Sequence, residues 1–205
     1  METSQLKELI LQSLAHERGG VKVYKTALKC AVNEDLKEEW SKYFEQTQRH
    51  VTILEQVCSA MEIDFDEQTP GTKAVEALGG ALVRAMQDAL AAGKPDAAER
   101  VACECVVLAE TKDHLDWQLI EACGKAAKGD IGKALRSAAD EVEAEEDEHL
   151  YHAKGWCREL WLKSLGLKAV LPPPQDKKHA TSAIGAARAE QAAPSEVSSP
   201  LWVRR

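Results

Sequence analysis

The stretch from Ala144 to Trp156, "AEEDEHLYHAKGW", carries Glu145, Glu146, Asp147, Glu148, His149 and His152 inside a segment that otherwise reads as a long buried helix. A carboxylate or imidazolium in a core costs several kcal/mol unless something neutralises it. A cation would do so, because carboxylate oxygen and imidazole nitrogen together suit iron or manganese, and also zinc. Glu146 and His149 stand three residues apart, a step that sets two side chains on one helix face. Asp147 and Glu148, by contrast, read as part of a solvated acidic face. Taken singly, His149 and His152 each read as half-buried histidines with ordinary hydrogen bonds.

The same chemistry recurs along other apolar stripes. The first runs through Leu6, Ile10, Ser13, Glu17, Gly20, Tyr24 and Leu28, so Glu17 falls on it unless a small rotation lets it pair with Arg18 or Lys22 at the surface. The second runs through Trp40, Phe44, Thr47, His50, Leu54 and Val57, with Thr47 and His50 on it. A third stripe offers Glu104 or Glu110, with His114 one turn beyond Glu110. Two internal relations link these segments. An aromatic follows seven residues after a glutamate twice, as Glu17 with Tyr24 and Glu110 with Trp117, and the pair Thr47 and His50 repeats the spacing of Glu146 and His149. Counted from turns near residues 33 and 129, Glu17 and His50 come level, and so do Glu110 and His149. Glu104 is about 9 Å off that level at 1.5 Å per residue, which favours Glu110. The candidate ligands are therefore Glu17, His50, Glu110, Glu146 and His149, with Glu104, His114 and His152 in reserve. Glu45 lies too far round its helix to stand in for Thr47.

The elements that must position these residues are helices. Ala, Leu, Glu and Lys dominate, and no alternating strand pattern competes. The periodicity predicts helices over about 5–31, 33–62, 72–92, 96–127 and 130–165. Thr3 or Ser4, Asn33 and Asp130 are placed to cap, and Asp96 with Glu99 to form a reciprocal capping pair. The segment 63–71, "IDFDEQTPG", is a loop. At about 30 Å the third helix is long enough to travel back along the others. The expected fold is an all-α, up-down-down-up four-helix bundle over 1–168, with a helical crossover between the second and third long helices.

From residue 169 the character changes. The stretch "LPPPQDKKHATSAIGAARAEQAAPSEVSSPLWVRR" holds five of the seven prolines and lacks a periodic apolar face, so 169–205 reads as a disordered tail. The chain carries a formal net charge of −8, which argues against nucleic acid and anionic membrane surfaces as partners. No apolar run approaches a membrane span. Cys30, Cys58, Cys103, Cys105, Cys123 and Cys157 lie in helical patterns with no C-x-x-C pair, as expected of reduced thiols in a cytoplasmic protein.

A glutamate from each of two helices, with Glu-x-x-His from each of two others, is the ligand pattern of ferritin-like di-iron bundles. Through Glu17, Glu110, His50 and the pair Glu146 with His149, residues 1–165 resemble that superfamily, nearest to rubrerythrin-like and uncharacterised ferritin-like domain proteins. Thr47 departs, standing where the resemblance asks for a bridging glutamate. The resemblance implies iron or manganese, with zinc as a further option, and an oxidoreductase acting on oxygen, peroxide or ferrous iron. It also implies a separate electron-donor protein, since no rubredoxin-like cysteine site is present. A second copy of the chain is the other expected partner. The tip "SSPLWVRR" is similar in layout to C-terminal tags that load ferritin-like cargo into encapsulin shells, although the usual Gly-Ser element is absent. The alternative function is a metal-free helical bundle, serving in interaction or ligand binding, whose chemistry went with the change at Thr47.

Overall fold

A computed structural model describes residues 2–174. Among them are five helices and no strand: α1 Thr3–Cys30, α2 Glu34–Ala60, α3 Pro70–Ala91, α4 Pro95–Ala126 and α5 Gly129–Ser164. The junctions follow from local chemistry. Asn33 caps α2 as expected, its side chain accepting from the amides of Asp35 and Leu36. Thr69 and Thr72 form a reciprocal cap at α3, and Pro70 and Pro95 sit in first turns, where a missing N–H costs nothing. Gly93 and Gly129 take φ of +70° at the two junctions that flank α4, a region costly for any residue with a Cβ.

Three expected caps are not formed. Glu2 and Lys128 occupy the N-cap positions of α1 and α5, without side-chain caps, so neither Thr3, Ser4 nor Asp130 caps. The third correction changes the role of a residue. Glu99 does not reciprocate with Asp96, because Lys94 is the N-cap of α4. Instead Glu99 is buried, and its Oε1 accepts from the amides of Val32 and Asn33, both at 2.7 Å. A carboxylate on α4 thereby satisfies free amides in the α1–α2 turn and ties that turn to a distant helix.

The long helices contact one another in a closed ring: α1 meets α2 and α4, and α5 meets α4 and α2. α3 lies against α1 and α4 alone. Each long helix passes through two apolar clusters. One gathers Tyr24, Trp40, Tyr43, Met86, Val106 and Trp156, the other Leu14, Leu54, Trp117, Ile120, Leu135 and Val142. Between them in sequence fall Glu17 on α1, His50 on α2, Glu110 on α4, and Glu146 with His149 on α5. Apolar layers thus lie on both sides of the polar level along the helix axes.

The first residues of the expected tail lie against the helices. The Val170 amide donates to Glu159, Leu171 packs on the first apolar cluster, and Pro173 adjoins Gly155. Residues 175–205, including the segment "SSPLWVRR", fall outside the described residues.

Glu99→Ala leaves two amides without their acceptor, and we expect a loss of about 2–3 kcal/mol in urea unfolding at an unchanged denaturant slope. Glu99→Gln keeps one acceptor oxygen and is expected to lose about half as much.

Candidate metal centre

At the level between the two apolar clusters, acids and imidazoles from three long helices face a histidine of the fourth. Glu17 and His50 are fully buried, and Glu110, Glu146 and His149 are 0–4% exposed. His50 Nδ1 lies 3.3 Å from Glu17 Oε1 and 3.1 Å from Glu146 Oε1. His149 Nδ1 lies 3.4 Å from the same Glu146 oxygen and 3.5 Å from Glu110 Oε2. The result is two donor groups, Glu17–His50–Glu146 and Glu110–Glu146–His149, each able to hold a metal ion and sharing one carboxylate. All five residues named first from the sequence come together. The surface pairing considered for Glu17 does not occur, and Arg18 bonds Glu55 and Asp66 instead.

The spacings suit an ion. Donors about 2.1 Å from a metal stand about 3.0 Å apart on an octahedron and about 3.4 Å apart on a tetrahedron, and the four distances above, 3.1–3.5 Å, lie close to these values. They do not suit a finished hydrogen-bond network. The buried atoms without a hydrogen-bond partner include Glu17 Oε2, Glu110 Oε2, both oxygens of Glu146, and Nδ1 of His50 and His149. Buried polar atoms in folded proteins are almost always satisfied, and these converge on one place.

The outer atoms of the same side chains are well held. His50 Nε2 donates to Glu145 Oε2 at 2.9 Å, and His149 Nε2 donates to Gln46 Oε1 at 3.0 Å. Arg49 in turn bonds Glu145. A neutral imidazole whose outer nitrogen donates must turn the lone pair of Nδ1 inward, which is the arrangement of a metal-binding histidine. The single carboxylates are oriented reciprocally. Tyr24 of α1 donates to Glu110 of α4 at 2.8 Å, and Trp117 of α4 donates to Glu17 of α1 at 2.8 Å. The two glutamate-plus-aromatic pairs seen in the sequence therefore serve one another across the interface.

Thr47 offers no free donor, so α2 contributes His50 alone. Its hydroxyl bonds back to Tyr43 O at 2.8 Å. Asp113 escaped the sequence reading. It is 4% exposed, its Oδ1 has no hydrogen-bond partner, and it lies one turn from Glu110 on the helix face that also carries Trp117. The signal was the step of three from Glu110, hidden among the neighbouring acids. Burial, reinforced by the charges of Glu146, Glu17 and Glu110, pushes the Asp113 carboxyl well above its ordinary range.

The three reserve residues stay outside both donor groups. Glu104 is exposed and accepts from Trp161. His114 Nδ1 lies 3.5 Å from Asp147, and its Nε2 lies 2.9 Å from the Gln118 amide nitrogen. His152 Nδ1 lies 2.7 Å from the Tyr43 hydroxyl and 3.0 Å from Glu39, while Trp156 donates to the other Glu39 oxygen. That second polar group adjoins the first, since the Tyr43 and His149 rings stand 4.2 Å apart. All six cysteines are free. No described helix is long and apolar enough to cross a membrane.

The chain matches no protein-family model, no curated protein and no solved structure.

Without metal, protons must supply the missing positive charge. Burial alone would lower the pKa of His50, but the carboxylates of Glu146 and Glu17 outweigh it and raise it to about 11. Burial also opposes the charge of His149, and Glu110 with Glu146 raises it to about 9. A histidine whose folded pKa is raised stabilises the fold fully below about pH 6.5 and loses that contribution as pH climbs through the folded value. Glu17, raised to about 7 chiefly by burial, favours the folded state less as pH rises from about 4.5 to 7, which has the same sign. The metal-free protein in chelator is therefore expected to melt at lower temperature at pH 9 than at pH 6.5. Added divalent metal should reverse the trend, because ions displace the same protons. Thermal unfolding at the two pH values, with and without metal, checks both signs.

Proposed function

We propose that the chain is a ferritin-like, rubrerythrin-like metal protein that binds two ions of iron or manganese around a shared Glu146. We read it as an up-down-down-up four-helix bundle in which α3 is the crossover, and as a non-haem oxidoreductase acting on dioxygen, peroxide or ferrous iron. The observation that carries this reading is Glu146: a buried carboxylate with neither oxygen hydrogen-bonded, lying between two imidazole nitrogens that also lack partners. Bound iron or manganese would supply the change of oxidation state on which reactions with oxygen or peroxide depend.

The chain's own residues divide the remaining work. Glu145 and Gln46 hold the tautomers of His50 and His149. Tyr24 and Trp117 aim Glu110 and Glu17. Asp113, one turn from Glu110 and with its carboxyl pushed well above its ordinary range, would release a proton more readily as positive charge arrives. The apolar clusters on either side exclude water. Electrons would come from a separate donor protein. None of the six free cysteines forms a C-x-x-C pair, and Cys103 and Cys105 lie on different faces of α4.

A second reading, a metal-free interaction module, draws on Thr47, whose hydroxyl is taken by the backbone and leaves α2 with one donor. Elemental analysis of protein purified from its native host separates the two. About two ions per chain are expected, with marked loss in His149→Ala and Glu146→Ala. Glu145→Ala and Gln46→Ala, which touch only outer nitrogens, should weaken affinity about 10–100-fold. Trace metal, unchanged by His149→Ala, would decide for the metal-free module.

A further inference from the structure

A second concave site lies behind the wall formed by α1 and α4. There α3 crosses their outer side and leaves a cavity of about 250 Å³ lined by residues of all three helices. Its origin is backbone contact. Gly79 of α3 faces Gly19 of α1 so closely that a Cβ on Gly79 would stand 3.8 Å from Gly19 Cα, while a Cβ on Gly19 would meet nothing within 4 Å. Two helices that touch through glycines bring no side chains to fill the space beside the contact. Val23, Val75, Leu82 and Ala109 form apolar walls around it. Leu78 and Leu108 stand at its edge, 64% and 61% exposed.

Protein interiors rarely leave voids larger than a water molecule, and an apolar cavity of about 150 Å³ is enough to take up benzene or xenon. This one is larger and reaches the surface. Its polar groups are already engaged. Lys112 bonds Asp116 at 2.6 Å, and His16 Nε2 donates to the Ala109 carbonyl at 3.0 Å. An arriving anion would have to compete with Asp116 for Lys112, and an arriving cation finds no free carboxylate among the lining residues.

We propose that this cavity is a binding site for an uncharged, hydrocarbon-bodied small molecule, a substituted single ring or a short aliphatic chain. Its floor is one helix wall from the metal centre. Gly20 follows Glu17 by three residues, and Ala109 directly precedes Glu110. The assignment goes beyond the metal reading and stands without it; the role of the bound molecule as a substrate or modulator of the centre rests on that reading.

The test uses the full chain and defined probes: toluene, indole and 1-octanol as uncharged ligands, with octanoate as the charged match to octanol. Titration calorimetry and the thermal midpoint should show saturable binding and a raised midpoint for the uncharged probes. Octanoate should bind at least about tenfold more weakly, because its carboxylate would be buried without a partner. Gly19→Leu, which grows into open space, should abolish binding while folding normally, since replacing a helical glycine also removes an entropic cost. Ala81→Trp on exposed α3 surface at the rim is the second variant, expected to weaken binding by narrowing the entrance. No saturable binding by any uncharged probe, or affinity unchanged in both variants, overturns the site. Octanoate binding as tightly as octanol overturns its assignment to uncharged molecules. Metal content measured on the same samples keeps the two readings apart. Metal without probe binding removes only the cavity proposal, and probe binding without metal removes only the metal proposal.

Discussion

An ionised carboxylate deep in a helical core is the constraint around which this protein is arranged. Glu146 is 1% exposed and neither of its oxygens makes a well-formed hydrogen bond, a situation worth several kcal/mol of destabilisation if it stood alone. The fold answers with two imidazoles, one from α2 and one from its own helix, whose inner nitrogens face it. Those imidazoles bring further demands. Each must be kept from rotating, so each has an outer acceptor, Glu145 for His50 and Gln46 for His149. The negative charge of Glu145 is met by Arg49 near the surface. Charge is thus passed outward in steps from a buried group to an exposed one, and what remains at the centre is a deficit of positive charge that a proton or a metal ion can fill.

The surroundings have an approximate internal symmetry, and its breaking is informative. Glu17 with Tyr24 on α1 corresponds to Glu110 with Trp117 on α4, and each aromatic donates to the other helix's glutamate. Neither glutamate is oriented by its own helix. Sliding α1 against α4 would misplace both carboxylates together, so the packing of one helix pair sets the geometry of both donor groups. The other helix pair breaks the correspondence. α5 contributes Glu146 and His149, while α2 contributes His50 and Thr47, whose methyl lies toward Gly20: a Cβ there would come within 3.2 Å of Thr47 Cγ2.

Much of this was legible because ligands on helices obey a simple period. Three-residue steps, common distance from a turn and repetition of a glutamate seven before an aromatic sufficed to choose Glu17, His50, Glu110, Glu146 and His149 over Glu104, which the structure places on the surface with Trp161. What stayed hidden depended on partners far away in sequence. Glu99 reads locally as half of a capping pair, and its true partners are amides 66 and 67 residues away. His152 lies one turn from His149 and would pass for a ligand, but the Tyr43 hydroxyl and Glu39 hold it elsewhere. The cavity behind α1 and α4 was illegible for a different reason. Glycines at 19 and 79 signify little until two helices meet through them.

Asp113 adds a buried carboxyl near the two donor groups, whereas Thr47 leaves α2 with none. A pair of divalent ions would bring four positive charges, and Glu17, Glu110 and Glu146 would return three. With a glutamate at position 47, α2 would supply the fourth. Here a further buried carboxyl, Asp113, comes from α4, one turn from Glu110 and outside both donor groups, and burial together with the charges of Glu146, Glu17 and Glu110 pushes it well above its ordinary range. A raised pKa limits the cost of burying such an acid, because a neutral carboxyl is far cheaper to bury than an ionised one. Once positive charge enters, the same neighbours cease to oppose its ionisation, and burial beside a cation favours it. A further carboxyl on α4, which stands across the ring from α2, spreads the negative charge of the centre over a second side.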